Sequence, residues 1–312
     1  MHMKRHAYLI LAHTNPGQLR KLLMLLDDPR NDIFVHIDRK AGFDGRALEG
    51  ACSSSRVEVL NNRISVRWGG VSIMKCELAL LREATRAGQY DYYHLLSGMD
   101  LPIKDQDTIH RFFDANRGKE FIDFWEMRPD ILDRAQWYTP FPEMERNFLF
   151  HAINKGCRNI QKALGRRINA DVGIEYGSQW FSITDGMARY VTYRESELEE
   201  IFGHTIICDE FFMSTAVWGS PFRQNIYEPS HDRNVCGNMR LIDWSRGGNI
   251  RHPWTFRIDD MDMLMSSPML WARKFDERAD NDIIDTICHR LKPEIFHDTG
   301  KAGTGNRSRN IQ

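Results

Sequence analysis

The chain has 312 residues, enough to bury the core of one large domain or of two closely joined domains. Its 42 lysines and arginines balance 43 aspartates and glutamates, so no overall field favours a nucleic acid as partner. The six cysteines are scattered without a CxxC pair. That arrangement argues against a structural zinc site and against a dense disulfide framework.

The first 125 residues alternate short apolar runs with helical patterns. A helix is predicted after Asn15, which can cap it, and Pro16, which can open it. A second helix is predicted over residues 69–88, where apolar side chains recur on one face. The predicted strands are residues 7–12, 32–38, 56–60, 90–97 and 119–125. Strands separated by helices indicate an α/β fold with a mostly parallel sheet that is covered on both faces.

The remainder of the chain divides into three stretches. Residues 126–170 are aromatic, charged and mostly helical in pattern, and a second strand–helix block runs from residue 176 to about residue 245. The segment from residue 298 has almost no apolar content and is predicted to be a disordered tail. We therefore divide the chain into residues 1–125, residues 126–297 and a tail of residues 298–312.

The apolar run AYLILA at residues 7–12 is too short for a secretion signal or a membrane span, which predicts a cytoplasmic protein. One basic run, from Lys155 to Arg167, departs from the balanced charge. It is interpreted either as a solvated helix face or as a surface that touches anionic lipid headgroups at the inner face of the plasma membrane. The apolar residues beside it are Phe148, Ile153, Ile160 and Leu164.

The sequence lacks the characteristic motifs of several enzyme classes. No GxGxxG and no GxxxxGK[ST] follows the first strand, which argues against a dinucleotide-binding or P-loop enzyme. Neither GxSxG nor HExxH occurs, so nothing local supports a serine hydrolase or a zinc protease.

The segment FVHIDRK ends a strand with Asp38, which either caps a turn or accepts hydrogen bonds from a ribose or a uracil N–H. His36 and Asp38 could share a metal, but no third ligand lies nearby in the sequence.

Two acids, Asp209 and Glu210, stand directly before the apolar helical stretch FFMSTAV. They either favour the helix dipole, or one serves the helix while the other faces a cleft. In the second case a partly buried Glu210 with a raised pKa could act as general base on a sugar hydroxyl. A glycosidase pair is less compatible with this spacing, since neighbours on one turn rarely reach the required separation of about 5–10 Å.

Eight segments in this order resemble the core-2/I-branching N-acetylglucosaminyltransferase and peptide xylosyltransferase family. They span residue 7 to about residue 276, nearly the whole chain. The segments are AYLILAHTNPGQLRKL, FVHIDRK, WGGVS, LLSGMDLPI, GSQWF, DEFF, MRLIDW and ARKFD. The resemblance implies a GT-A-like fold and an inverting enzyme that uses a UDP-sugar as substrate, with neither a cofactor nor a metal. Residues 1–125 would then bind the nucleotide-sugar, and residues 126–297 would supply acceptor binding and catalysis.

The resemblance also implies roles for matching positions. Glu210 corresponds to the catalytic base, and Arg251 and Lys274 to cations that bind the diphosphate. The LLSGMDLPI segment has Gly98 where a metal-binding acid is usual, so Asp100 is expected to order the donor sugar or its loop. The donor-side positions are Asp38, Trp68, Asp100, Arg251 and Lys274. The acceptor-side positions are Gln179, Trp180 and Trp244.

The resemblance predicts transfer from UDP-GlcNAc to a hydroxyl of a glycan or lipid-linked glycan, in the synthesis of a bacterial surface polysaccharide. The WGG, GSQWF and ARKF segments are more similar to the xylosyltransferases, whereas GMDLPIK is more similar to the branching enzymes. A UDP-xylose-dependent enzyme is therefore the first alternative. A glycan-binding protein that has lost turnover is the second.

Overall fold

The computed structural model describes residues 5–246 and 252–296. The strands are β1 (His6–Ala12), β2 (Asn31–Ile37), β3 (Arg56–Val59), β4 (Tyr92–Ser97), β5 (Asp100–Pro102), β6 (Phe121–Phe124), β7 (Gly177–Thr184), β8 (Arg240–Ile242) and β9 (Trp271–Arg273). The helices are α1 (Pro16–Leu26), α2 (Ser72–Ala87), α3 (Gln106–Ala115), α4 (Pro129–Gln136), α5 (Phe148–Leu164), α6 (Asp185–Tyr193), α7 (Glu195–Phe202), α8 (Phe212–Trp218), α9 (Met261–Ser266) and α10 (Asn281–Leu291). The predicted tail and Arg251 lie outside the described residues.

A six-stranded sheet has the order β3-β2-β1-β4-β7-β6. Strands β3, β2, β1 and β4 run parallel to one another, and β7 is antiparallel to both of its neighbours. All seven residues of β2 are buried, as expected for a parallel strand that is covered on both faces. The predicted α/β class with a mostly parallel, Rossmann-like sheet is therefore confirmed.

Two apolar cores lie on opposite faces of this sheet. Alternate side chains of β1 enter different cores, with Leu9 on one face and Ile10 on the other. Helices α2, α6 and α8 cover the first face, and α1, α3 and α10 cover the second. Residues from both sides of the predicted boundary at residue 125 contribute to each core.

A second sheet has the order β5-β9-β8, and the sequence patterns did not predict it. Each of its strands has three residues, too few to show a periodicity. Asp100 pairs with Arg273 across β5 and β9, so the turn after β4 is joined to a segment near the end of the described chain. This pairing brings the LLSGMDLPI and ARKFD segments together.

The predicted capping role of Asn15 is wrong. Pro16 does open α1, but Asn15 has a left-handed backbone with φ of 54° and its side chain makes no capping hydrogen bond. Its amide instead donates to Asp276 Oδ1 at 2.9 Å. The residue therefore joins the start of α1 to the ARKFD segment. Within the described ranges, no helix is long and apolar enough to cross a membrane.

Candidate active site

At the carboxyl ends of the parallel strands, two of the predicted donor-side residues act electrostatically on the same histidine. Asp38 directly follows β2, is buried, and accepts a hydrogen bond from the Lys40 backbone N–H at 2.8 Å. His13 directly follows β1. Desolvation and the cations of Arg273 and Lys274 lower the pKa of His13, while Asp38 opposes this shift. Asp38 and Lys274 therefore both act electrostatically on the same imidazole at this edge of the sheet.

Asp100 is engaged by groups of the protein itself. Its carboxylate accepts hydrogen bonds from the backbone N–H of Ser97 at 2.8 Å and from the Ser97 hydroxyl at 3.2 Å. Arg273 Nη1 donates to Asp100 Oδ1 at 2.7 Å, and Asp100 is almost fully buried. The guanidinium of Arg273 also lies 4.4 Å from the ring centroid of Trp180. These contacts support the prediction that Asp100 orders its loop.

Arg273 is a site residue that the sequence interpretation missed. The resemblance gives a role only to the lysine of the ARKFD segment, although the arginine stands directly before it. Lys274 is partly buried, and desolvation together with neighbouring Arg273 lowers its pKa. The carboxylate of Asp276 opposes this shift, but no ion pair joins the Lys274 ammonium group to a carboxylate in the described part of the chain. Lys274 is thus a cation available to an anionic ligand.

Glu210 ends a short 3-10 helical turn, Cys208–Glu210, that leads into α8. Burial raises the pKa of Glu210 above its usual value. Arg134, whose Nη1 lies 3.5 Å from Glu210 Oε2, opposes this shift most, and Arg233 and the Tyr176 hydroxyl add to that opposition. The side chain retains 26% of its exposure. Glu210 is therefore a carboxylate of raised basicity that solvent still reaches.

An open cleft of about 540 Å³ shares wall residues with the surroundings of Glu210, although Glu210 itself is not in its wall. Tyr176 and Arg233 belong both to the cleft wall and to the surroundings of Glu210. Arg233 Nη2 donates to the Tyr176 hydroxyl at 2.9 Å, and its guanidinium lies 4.5 Å from the ring of Trp125. The wall consists of Glu126, Arg128, Ile131, Tyr176, His231, Asp232 and Arg233. The cleft can hold a polar ligand next to a potential base.

A group of buried carboxyls lies behind Glu210. Burial and the charge of Glu210 raise the pKa of Asp209 to about 7, and Asp209 Oδ1 has no hydrogen-bond partner. Burial, with Asp209 as a further cause, raises the pKa of Glu77 in α2 well above its usual value. Gln179 Nε2 donates to Glu77 Oε1 at 2.7 Å. The Gln179 amide is therefore already occupied by a buried carboxyl.

The sequence interpretation also missed Glu77, although a signal existed. The residue follows Cys76 and precedes Leu80 by three positions, so it stands on the apolar face of the predicted helix. A glutamate on a buried face needs a hydrogen-bond partner or must be protonated, so its position in the sequence indicates an unusual carboxyl group. The structure supplies Gln179 as the partner and a raised pKa that favours the proton.

The three tryptophans of the predicted site have different exposures. Trp180 is buried, whereas Trp68 is 53% exposed and Trp244 is 46% exposed. The guanidinium of Arg146 lies 4.2 Å from the ring centroid of Trp68. Trp244, just after β8, offers an exposed indole. Donor or acceptor binding by these side chains stays a prediction.

The possible metal pair of His36 and Asp38 is not supported by the contacts. His36 Nε2 accepts a hydrogen bond from the Ile64 backbone N–H at 2.9 Å, so one ring nitrogen is already used. Across residues 5–246 and 252–296, no three side chains of histidine, cysteine, aspartate or glutamate are grouped so that they could hold a metal.

Comparisons with known proteins agree with the motifs. The family model described as Core-2/I-Branching enzyme matches residues 6–267. Xylosyltransferase 2 of Rattus norvegicus and of Homo sapiens are each 24% identical over 310 residues, which cover 92% of this chain and 34% of the relative. Xylosyltransferase 1 of Homo sapiens is 23% identical, over 92% of this chain and 30% of the relative. The chain thus spans about a third of the length of these relatives.

One solved structure is also similar, the crystal structure of S. aureus TarS 1–349 in complex with UDP-GlcNAc. It shares 12% identity and a TM-score of 0.26, over 40% of this chain and 34% of that chain. A TM-score this low carries no argument about the site. The family model, in contrast, covers the segments that hold Asp38, Asp100 and Glu210. The resemblance predicted from the motifs is confirmed, and the chain belongs to the core-2/I-branching enzyme family.

Proposed function

We propose that this protein is an inverting glycosyltransferase that moves a sugar from a UDP-sugar to a hydroxyl group of a glycan acceptor. The observation that carries the proposal is the placement of Glu210, a partly exposed carboxylate of raised pKa that shares Tyr176 and Arg233 with an open cleft. Membership in a family of glycosyltransferases supports the same activity. A carboxylate of raised pKa is a better proton acceptor near neutral pH than an ordinary exposed glutamate.

In the proposed reaction, Glu210 takes the proton of the acceptor hydroxyl. The oxygen of that hydroxyl attacks the anomeric carbon of the donor sugar. The bond between that carbon and the diphosphate oxygen breaks on the opposite face, so the configuration inverts and UDP leaves. The proton ends on Glu210, and the electron pair of the broken bond ends on the diphosphate. Arg134, 3.5 Å from Glu210, orients the carboxylate and keeps its pKa from rising further.

Cations of the protein stabilise the leaving diphosphate in this proposal. Lys274 acts electrostatically on His13, as Asp38 does, and forms no ion pair with a carboxylate within the described ranges, so its charge is available to phosphate oxygens. Arg251, outside the described residues, is proposed as the second cation on the strength of the motif alone. Asp100 is already neutralised by Arg273, which supports a mechanism that needs no metal at this position.

The proposed donor is UDP-GlcNAc, in keeping with the branching enzymes that name the family. UDP-xylose is the second candidate, because the relatives quoted above are named xylosyltransferases. We further propose a glycan or lipid-linked glycan acceptor and a role in bacterial surface polysaccharide synthesis.

The burial of Asp209 distinguishes a glycosyltransferase from a glycosidase. A glycosidase would need Asp209 and Glu210 to face the same cleft as a carboxylate pair. Asp209 is buried instead, and its charge interacts with Glu77 behind the cleft. A glycan-binding protein without turnover would need no base. The accessible carboxylate of Glu210 therefore favours the transferase.

The deciding experiment measures UDP release from UDP-GlcNAc, UDP-xylose, UDP-GalNAc, UDP-glucose and UDP-galactose, with a panel of glycan acceptors. Acceptor-dependent release from one donor is the expected result. Glu210→Gln should lower kcat about 10²–10⁴-fold while UDP binding persists. Glu200→Gln, on the exposed face of α7, is the matched control and should keep full activity. Near-wild-type turnover by Glu210→Gln would remove this residue from the mechanism.

A further inference from the structure

Helix α5 is attached to the body of the protein along one narrow face. Of its 17 residues, only Asn154 is buried. Asn154 Nδ2 donates hydrogen bonds to Phe141 O at 3.0 Å and to Glu145 Oε2 at 2.6 Å. Gln161 Nε2 donates to Tyr138 O at 2.8 Å. These contacts hold the helix in place and leave most of its circumference in solvent.

The exposed part of α5 carries an apolar stripe. Leu149, Ile153, Ile160 and Leu164 are separated by intervals of four, seven and four residues, which places them on one side of a helix. Their exposures are 62%, 42%, 63% and 64%, and Phe148 at the first turn is 88% exposed. Contiguous exposed apolar side chains on a soluble surface mark a contact with a membrane or another molecule.

The segment that carries this stripe also has a basic flank, which contains Lys155 and Arg166. Residues 146–170 contain six lysines and arginines and no aspartate or glutamate, although the whole chain is nearly neutral. Lys162 is paired with Asp133, and Arg158 lies 3.5 Å from Glu145. Lys155 and Arg166 are exposed and form no ion pair with a described carboxylate. The charge around the stripe is therefore positive.

We infer that α5 docks on the surface of an anionic lipid bilayer, with its apolar stripe among the acyl chains and its basic flank at the headgroups. An amphipathic helix with one apolar face and a lysine- and arginine-rich polar face binds membranes in this orientation. Two copies of this chain that met through the same stripe would bring two basic flanks together. No acid between residues 146 and 170 could compensate that repulsion.

A chain of contacts connects the segment before α5 with the turn that carries Glu210. Glu143 accepts hydrogen bonds from the Ser72 backbone N–H at 2.6 Å and from the Ser72 hydroxyl at 2.9 Å. A Cβ on Gly70 would lie 2.5 Å from Glu143 Oε2, so this glycine leaves room for the contact. The Ile207 backbone N–H in turn donates to Gly69 O at 2.8 Å, just before the turn that carries Glu210.

The test is flotation of the full chain with vesicles of phosphatidylcholine alone or mixed with phosphatidylglycerol. Binding to the mixed vesicles is expected at low salt, with release as the salt concentration rises. Lys155→Glu/Arg166→Glu should weaken that binding by at least about tenfold, because each basic residue near the surface contributes roughly fivefold. Leu149→Ser/Ile160→Ser should weaken it by at least about tenfold through loss of apolar burial.

Matched controls lie away from α5. Lys119→Glu/Arg290→Glu changes charge equally, and Tyr193→Ser removes a side chain that is 90% exposed. Both controls should bind vesicles like the wild type. Failure of the wild type to float at low salt, or equal binding by all variants, would overturn the inference. If the wild type forms dimers and does not bind vesicles, and Leu149→Ser/Ile160→Ser abolishes those dimers, the stripe is instead a self-association surface. None of these readouts depends on turnover, so their failure is distinguishable from failure of the proposed transfer reaction.

Discussion

Arg273 Nη1 lies 2.7 Å from Asp100 Oδ1, and the two residues are also paired across β9 and β5. The single acid of the LLSGMDLPI segment is thus paired with a guanidinium. Breaking a buried ion pair by removing one partner costs about 3–5 kcal/mol, because the other charge stays buried. The pair therefore ties the turn after β4 to the ARKFD segment and positions Lys274 beside it.

The first prediction concerns this ion pair. Arg273→Ala should lower the free energy of unfolding by about 3–5 kcal/mol, since Asp100 would remain buried without its cation. Arg278→Ala is the control, because Arg278 is exposed and its loss should change the free energy of unfolding far less than the loss of Arg273. Urea denaturation followed by tryptophan fluorescence measures both. Equal stability of the two variants would show that the Arg273–Asp100 contact does not support the fold.

The second prediction concerns the diphosphate. Activity should survive EDTA and gain little from manganese, because Lys274 and Arg251 are proposed to neutralise the phosphates. Lys274→Ala should raise the Kd of UDP roughly 10- to 150-fold, the value of one charge-assisted hydrogen bond. Isothermal titration of UDP checks this, with Lys119→Ala as an exposed control. Activity abolished by EDTA and restored by manganese, with Lys274→Ala nearly normal, would contradict the scheme.

The third prediction concerns the pH dependence of turnover. Since burial raises the pKa of Glu210, protonation should switch the base off at a pH above the usual range of a glutamate. The cation of Arg134 opposes this shift. Arg134→Gln should therefore move the acidic limb of the kcat/KM profile to higher pH, and Arg134→Lys should restore most of it. A limb that stays in place in Arg134→Gln would mean that another group titrates.

The fourth prediction concerns Asp209 and stability. Its pKa rises from 3.8 to about 7 in the folded protein, so the unfolded state loses this proton first as the pH increases. Asp209 thus stabilises the fold least above pH 7, and the free energy of unfolding should fall between about pH 4 and pH 7. Asp209→Asn should reduce that fall, because the variant carries no titrating group at this position. Asp171→Asn, at an exposed position, should leave the profile unchanged in urea titrations across this pH range.

The fifth prediction separates two proposed acceptor-side residues. Gln179→Ala should lower the free energy of unfolding by about 1–3 kcal/mol, because it leaves Glu77 buried without a hydrogen-bond donor. Trp244→Ala should leave stability within about 0.5 kcal/mol, since the indole is half exposed, and should raise the acceptor KM. Thermal melts and steady-state kinetics distinguish the two. A normal acceptor KM in Trp244→Ala would remove this tryptophan from the acceptor site.

The elements with clear local patterns were predictable from the sequence. The apolar runs of β1 and β2 and the helical periodicity of α2 predicted an α/β fold, and the ordered motifs predicted the family. Glu210 was a candidate base because two acids precede an apolar helix. These inferences succeed because helix and strand periodicities depend on residues that are close in the sequence.

Other features were decided only by the tertiary structure. Arg273 and Asp100 are 173 positions apart, and Gln179 and Glu77 are 102 positions apart. The approach of Arg134 and Arg233 to Glu210 likewise depends on the path of the whole chain. The exposure of the α5 stripe also depends on its neighbours, because an amphipathic pattern predicts an apolar face but not what covers it. The sequence by itself determined which side chains are available, and long-range packing decided which of them meet.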